Sequence, residues 1–124
     1  MLGLGSDIIE IERVSRAIQR SGTRFLQKVF LEKEQAYCLQ YQNPYPRYAG
    51  TFAAKEAVSK ALGTGFRANI LSWLDIEISH DAYGKPIATL SSQAQQVFGS
   101  PQILLTISHC KTYATATAIV KAEG

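Results

Sequence analysis

Three short stretches of this 124-residue chain carry side chains able to do chemistry. The first is Gly3-Leu4-Gly5-Ser6-Asp7, a carboxylate preceded by two glycines at alternate positions. In an extended strand those three residues share one face, so Asp7 stands where a ligand or another backbone can come close. The second is Lys55-Glu56 with Lys60, followed by Gly63-Thr64-Gly65. Glu56 and Lys60 are one helical turn apart, and a glycine loop beyond a helix exposes backbone. The third is Ser108-His109, at the end of an apolar run.

Each stretch also has a plain structural explanation. Asp7 can be an edge carboxylate, Glu56–Lys60 a surface pair worth roughly 0.2–0.5 kcal/mol, and His109 a turn residue. Together they suit a single task. Magnesium takes hard oxygen ligands, often a carboxylate or two completed by substrate phosphates and water. Asp7 and Glu56 could supply the carboxylates, while Lys55, Lys60 and His109 neutralise phosphate oxygens and the Gly-Thr-Gly backbone cradles another phosphate. That inventory fits phosphoryl-type transfer, where a protein mostly positions groups and stabilises charge.

The elements that must hold these groups follow from periodicity. Leu2 to Ile9 reads as a strand with Leu2, Leu4, Ser6 and Ile8 on one face and Gly3, Gly5, Asp7 and Ile9 on the other. Glu10 to Arg20 turns helical and stops at Ser21-Gly22-Thr23; a second helical stretch covers Phe25 to Tyr41. Asn43-Pro44-Tyr45-Pro46 reads as an extended break. Thr51 to Leu62 is the strongest helix, with Ala54, Ala57, Val58, Ala61 and Leu62 on a buried arc and Lys55, Glu56, Ser59 and Lys60 opposite.

The second half alternates as strands. Ile70 to Ser79 sets Leu74, Ile76 and Ile78 against Asp75, Glu77 and Ser79. A turn at Asp81-Ala82-Tyr83-Gly84 leads to a strand at Ile87 to Leu90. Ser91 or Ser92 caps a short helix that Gly99-Ser100-Pro101 ends. Gln102 to His109 and Tyr113 to Val120 form the last two strands, joined by a tight turn near Cys110-Lys111. The order β-α-α-α-β-β-α-β-β predicts one α+β domain over residues 1–124, with a mainly antiparallel sheet packed against helices.

Composition excludes several classes. The chain is 46% hydrophobic and 19% charged, which argues against disorder. No apolar run approaches the ~20 residues that span a bilayer, and Asp7 interrupts any signal peptide. Cys38 and Cys110 are too few for a disulfide scaffold. The reading is a soluble, cytoplasmic protein without a membrane partner. A net charge of +3 does not make a nucleic-acid binder. Tyr41, Tyr45, Arg47 and Tyr48 interleave aromatics with a cation, as single-strand binders do, but in a proline-broken loop rather than on a strand platform. A purely structural oligomer subunit is the other rival.

Gly5-Ser6-Asp7-Ile8 followed by Arg13 resembles the first motif of the holo-acyl-carrier-protein synthases, small members of the phosphopantetheinyl transferase superfamily. Phe52 to Gly65 is similar to their second motif almost residue for residue, and Ile107-Ser108-His109 followed by Tyr113-Ala114 to their third. The resemblance covers essentially the whole chain. It implies an α+β homotrimer with active sites between protomers. Its implied reaction moves phosphopantetheine from coenzyme A to a serine of apo-acyl carrier protein, releasing adenosine bisphosphate and supporting fatty acid biosynthesis.

By the same resemblance, Asp7 and Glu56 bind magnesium (Mg2+) with the coenzyme A pyrophosphate. Lys60 holds the phosphate under attack, and Glu56 or a metal-bound water takes the serine proton. Lys55, Ser108, His109 and the Gly63-Thr64-Gly65 loop contact coenzyme A, and His109 counts with Glu56 and Lys60 as catalytic. Many relatives carry a basic residue where this chain has Thr51, and Arg47 is the nearest arginine able to stand in. Arg13, Arg16, Arg20 and Arg24 would dock the acidic carrier protein from one helical stripe. Cys110 is given no role.

Overall fold

The computed structural model describes residues 2–123. Its elements are β1 (Leu2–Glu10), α1 (Ile11–Ser21), α2 (Thr23–Val29), α3 (Glu32–Cys38), α4 (Tyr45–Ala61), β2 (Ile76–His80), β3 (Pro86–Leu90), α5 (Ser92–Phe98), β4 (Gln102–His109) and β5 (Tyr113–Lys121). The chain is α+β, as the element order predicts. One sheet has the order β1-β5-β4 and a second pairs β2 with β3; all pairings are antiparallel.

Helix α4 lies across the larger sheet and accounts for the glycines of β1. A Cβ on Gly5 would fall 2.1 Å from the Ala57 carbonyl oxygen, and one on Gly3 1.8 Å from that of Ala61. Near the other end of the helix, a Cβ on Gly50 would meet Ile107 of β4 at 3.0 Å. The helix therefore runs diagonally, from β4 at its start to β1 at its end. Small side chains permit the approach: Ala53, Ala54, Ala57 and Ala61 pack in one buried cluster with Ala116, Ala118 and Val120 of β5. What comes close to the glycine face is a backbone.

Three expectations about elements change. Helix α4 begins at Tyr45, not Thr51, because Pro46 occupies its first turn, where no N–H is needed. The stretch Phe25 to Tyr41 is two helices. Phe30 and Leu31 between them are extended, Phe30 is buried, and the Glu34 carboxylate accepts the Leu31 N–H at 2.8 Å to start α3 afresh. Of Ile70 to Ser79 only Ile76 onward is strand; Trp73–Asp75 form a 3-10 turn closed by the Asp75 carboxylate on the Ser72 N–H at 2.8 Å. Ser91, rather than Ser92, caps α5 by accepting the Ala94 N–H.

Candidate active site

Lys60 leans from α4 onto β1, where its ammonium donates to the Ser6 carbonyl at 2.9 Å and to Asp7 Oδ1 at 3.2 Å. The expected Glu56–Lys60 surface pair is thus replaced by a contact between elements. Glu56, one turn before Lys60, is half-buried. Burial holds its carboxyl above the ordinary carboxylate range, the negative charge of Asp7 adds to that, and Lys60 only partly offsets it. None of the ion pairs among the described residues uses Glu56. Two partly desolvated carboxylates close enough for one charge to act on the other offer a donor set for a hard divalent cation. Among the described residues no third His, Cys, Asp or Glu joins them, so substrate oxygens and water would complete a shell.

The loop after α4 is narrower in its possibilities than the sequence suggests. The Gly63 N–H donates to the Lys60 carbonyl at 3.0 Å and the Gly65 N–H to the Ser59 carbonyl at 3.1 Å, closing the helix end. Thr64 Oγ1 donates to the Gly65 carbonyl at 2.7 Å. Two of the three N–H groups expected to cradle phosphate are therefore spent, leaving that of Thr64. Both glycines have positive φ, 97° and 62°, with open space where a Cβ would stand.

Lys55, expected at coenzyme A, is turned inward instead. It is fully buried, as is Ser59, although helical period places both on the solvent arc. The reason is that α2, α3 and the Trp73 turn cover that side of α4. The Lys55 ammonium uses its three donors on the Glu34 carboxylate at 2.6 Å, the Val29 carbonyl at 2.7 Å and the Trp73 carbonyl at 3.1 Å. Burial pulls its pKa down, against the opposing charge of Glu34. Glu34 in turn accepts the Ile78 N–H at 2.7 Å. Sequence reasoning gave Glu34 no role, because Lys55 and Ile78, its partners beyond the Leu31 cap, come from two distant segments.

His109 and Arg47 stand elsewhere. His109 pairs in register with Ala114 and shares a cleft with Arg47, Tyr37, His80, Thr51 and Pro86. The Arg47 guanidinium lies 3.8 Å from the Tyr41 ring centroid, so these two pack together rather than forming an open aromatic platform. Thr51 is buried and donates to the Arg47 carbonyl at 2.9 Å. Ser108, one residue before His109, emerges exposed on the opposite sheet face. Since β5 separates β1 from β4, Asp7 and His109 lie two strand spacings apart, roughly 10 Å. One chain does not bring its three chemical stretches to one point.

Arg13, Arg16 and Arg20 are exposed on α1, with Arg16 paired to Glu12 at 2.8 Å. Arg24 does not continue their stripe, because Gly22, at φ 51°, ends α1 and Arg24 belongs to α2. Cys110 is an exposed free thiol in the β4–β5 turn. Tyr37 and His80 also line the cleft; Tyr37 carried no sequence signal, and His80 none beyond its place beside the Asp81 turn.

The family model of the 4'-phosphopantetheinyl transferase superfamily matches residues 3–118. The chain belongs to that superfamily. Within it, the holo-[acyl-carrier-protein] synthase of Protochlamydia amoebophila is 56% identical over 118 residues, covering 95% of this chain and 96% of that one. The synthase of Chlamydia pneumoniae is 48% identical, covering 98% of each. The structure of Helicobacter pylori holo-[acyl-carrier-protein] synthase in complex with coenzyme A superposes with a TM-score of 0.84 at 34% identity, over 98% of this chain and all of that one. The superfamily fold and the element order read from the sequence agree.

Proposed function

We propose that this chain, acting as one transferase domain over residues 1–124, moves the phosphopantetheine arm of coenzyme A onto a serine of apo-acyl carrier protein. Adenosine bisphosphate leaves, and the holo-carrier supports fatty acid biosynthesis in the cytoplasm. The observation that carries this reading is the electrostatically coupled pair Asp7 and Glu56, with Lys60 bonded to Asp7. The relatives' shared designation and the coenzyme A held by the Helicobacter pylori protein support it.

Asp7 and Glu56 fit a magnesium ion and would hold it; when bound, it neutralises charge on the coenzyme A pyrophosphate. Lys60 holds the phosphate under attack. Glu56, whose proton affinity is raised by burial and by Asp7, accepts the serine proton. As the serine oxygen bonds to phosphorus, the bond from phosphorus to the adenosine bisphosphate oxygen breaks. Arg47 and His109 bind coenzyme A phosphate from their cleft, with Ser108 and the Thr64 N–H as further contacts. Arg13, Arg16 and Arg20 face the carrier protein.

The working form is a homotrimer whose sites lie between protomers. Two observations support this. The Asp7 and His109 groups stand on the two edge strands of one sheet, where neighbouring protomers can bring such groups together. The open face of the larger sheet also sets Leu4, Ile119 and Leu104 side by side, 71%, 39% and 49% exposed, where a wet antiparallel face would carry polar residues. The test is incubation with coenzyme A, magnesium and apo-carrier protein, read by intact mass. The carrier should gain one phosphopantetheine, and an unchanged mass overturns the reading.

A further inference from the structure

A column of side chains leads into the cleft that Arg47 shares with His109. The Arg47 guanidinium lies over the Tyr41 ring, its Cζ 3.8 Å from the centroid. Tyr41 meets Tyr37 edge to face at 5.7 Å, with their hydroxyls 3.3 Å apart. Tyr37 then stacks on His80 of β2, 4.0 Å away and tilted by only 11°. Contacts from α3, the loop after it, α4 and β2 thus converge on one arginine.

The cleft is chemically one-sided. Arg47, His80 and His109 line it, and none of its lining residues is an Asp or Glu. The nearest acid in sequence, Asp81, is outside the lining; its Oδ1 accepts the N–H groups of Tyr83 and Lys85, 2.8 and 2.9 Å away, and its charge reaches the cleft only through His80. Thr51 spends its hydroxyl on the Arg47 carbonyl, so the guanidinium is the principal anion donor. Its planar fork matches phosphate in two bonds, and an arginine already held on a ring loses less freedom on binding. The hydroxyl of Tyr37 is pushed up to about 12 by burial first and by Tyr41 second, while its hydrogen bond pulls that of Tyr41 down.

We infer that Tyr41, Tyr37 and His80 are positioning residues that fix the Arg47 guanidinium for a phosphate monoester, the one on the ribose of coenzyme A. The inference rests on the coenzyme A reading above. Dephospho-coenzyme A lacks only that monoester, so calorimetric binding of the two compounds isolates it without turnover. Arg47→Gln should weaken coenzyme A about 10- to 100-fold and leave dephospho-coenzyme A nearly unchanged, the effect of one charged hydrogen-bond pair. Tyr41→Leu should weaken coenzyme A alone by about 2- to 5-fold, and Tyr41→Phe, which keeps the ring, should restore it. In turnover the same variants should raise KM for coenzyme A with kcat unchanged. Equal weakening of both compounds by Tyr41→Leu, as a merely structural residue would give, overturns the inference, and so does no weakening of either. Arg47-dependent discrimination by a protein that leaves carrier mass unchanged upholds the inference and removes the proposed reaction instead.

Discussion

Asp7 of β1 and Glu56 of α4 oppose one another electrostatically across the contact between strand and helix. Glu56 has a folded pKa raised above its unfolded value, by burial first and Asp7 second. The folded state therefore holds its proton to higher pH, and stability falls as pH rises from about 4.5 through the raised value. At neutral pH and without magnesium, Glu56→Gln should raise the melting temperature. Added magnesium should stabilise the wild type and not the variant, while Glu56→Gln and Asp7→Asn abolish transfer. A variant that melts at or below the wild-type temperature in magnesium-free buffer contradicts the repulsion argued here.

Lys55 and Glu34 should act through stability alone. Removing one partner of a buried pair leaves an uncompensated charge and costs about 3–5 kcal/mol. Lys55→Met should accordingly lower the melting temperature by roughly 10 °C or more. Below its melting point the variant should keep the wild-type KM for coenzyme A. A raised KM with an unchanged melt would return Lys55 to the ligand.

The contrast between Lys55 and Lys60 shows what was legible. Residue type and helical period picked out Asp7, Glu56 and Lys60, because a carboxylate behind glycines and a Lys-Glu turn are local signals. Period alone could not bury Lys55, whose partners lie on α2, α3 and the Trp73 turn. Pro46 read as a breaker because proline removes an N–H, yet a first turn needs none. The separation of His109 from Asp7 was invisible for a related reason. Both strands were legible, but the placing of β5 between them is a matter of tertiary pairing.

Gly5 should tolerate no side chain. A methyl there meets the Ala57 carbonyl at 2.1 Å and the Ala61 nitrogen at 2.7 Å, and both are backbone atoms of a rigid helix. Gly5→Ala must push α4 off the sheet, costing on the order of 1–3 kcal/mol or more as overpacking does. Because Asp7 follows Gly5 and Lys60 precedes Ala61, the same shift should open the Lys60–Asp7 contact and lower kcat. Gly84→Ala, where nothing lies within 4 Å, should show strain from its φ of 86° but keep kcat. Wild-type melting and turnover for Gly5→Ala would mean the helix can slide.

Lys60 and His109 should separate kinetically. Lys60 touches Asp7 and would meet charge developing on the transferred phosphate, so Lys60→Ala should lower kcat by roughly 10²–10³. His109 lies in the cleft across the sheet, and its replacement by Ala should appear chiefly in KM for coenzyme A. A pure KM effect from Lys60→Ala would assign it to ground-state binding.

The carrier protein should be read out by α1. Arg13 and Arg20 are exposed there, and neither takes part in an ion pair among the described residues, whereas Arg16 shares its charge with Glu12. Arg24, beyond Gly22, starts a new helix and loses the alignment that spacing alone would give it. Helix α1 continues directly from β1, which carries Asp7, so Arg13 is its nearest free cation to the chemistry. An acidic partner would be steered by this patch over a range set by the Debye length, about 10 Å at 0.1 M salt. Arg13→Glu should therefore raise KM for the carrier most, Arg20→Glu less, and Arg24→Glu least, each with coenzyme A affinity nearly unchanged. The differences should shrink as salt is added. Wild-type carrier kinetics for both Arg13→Glu and Arg20→Glu at low salt would move the docking surface away from α1.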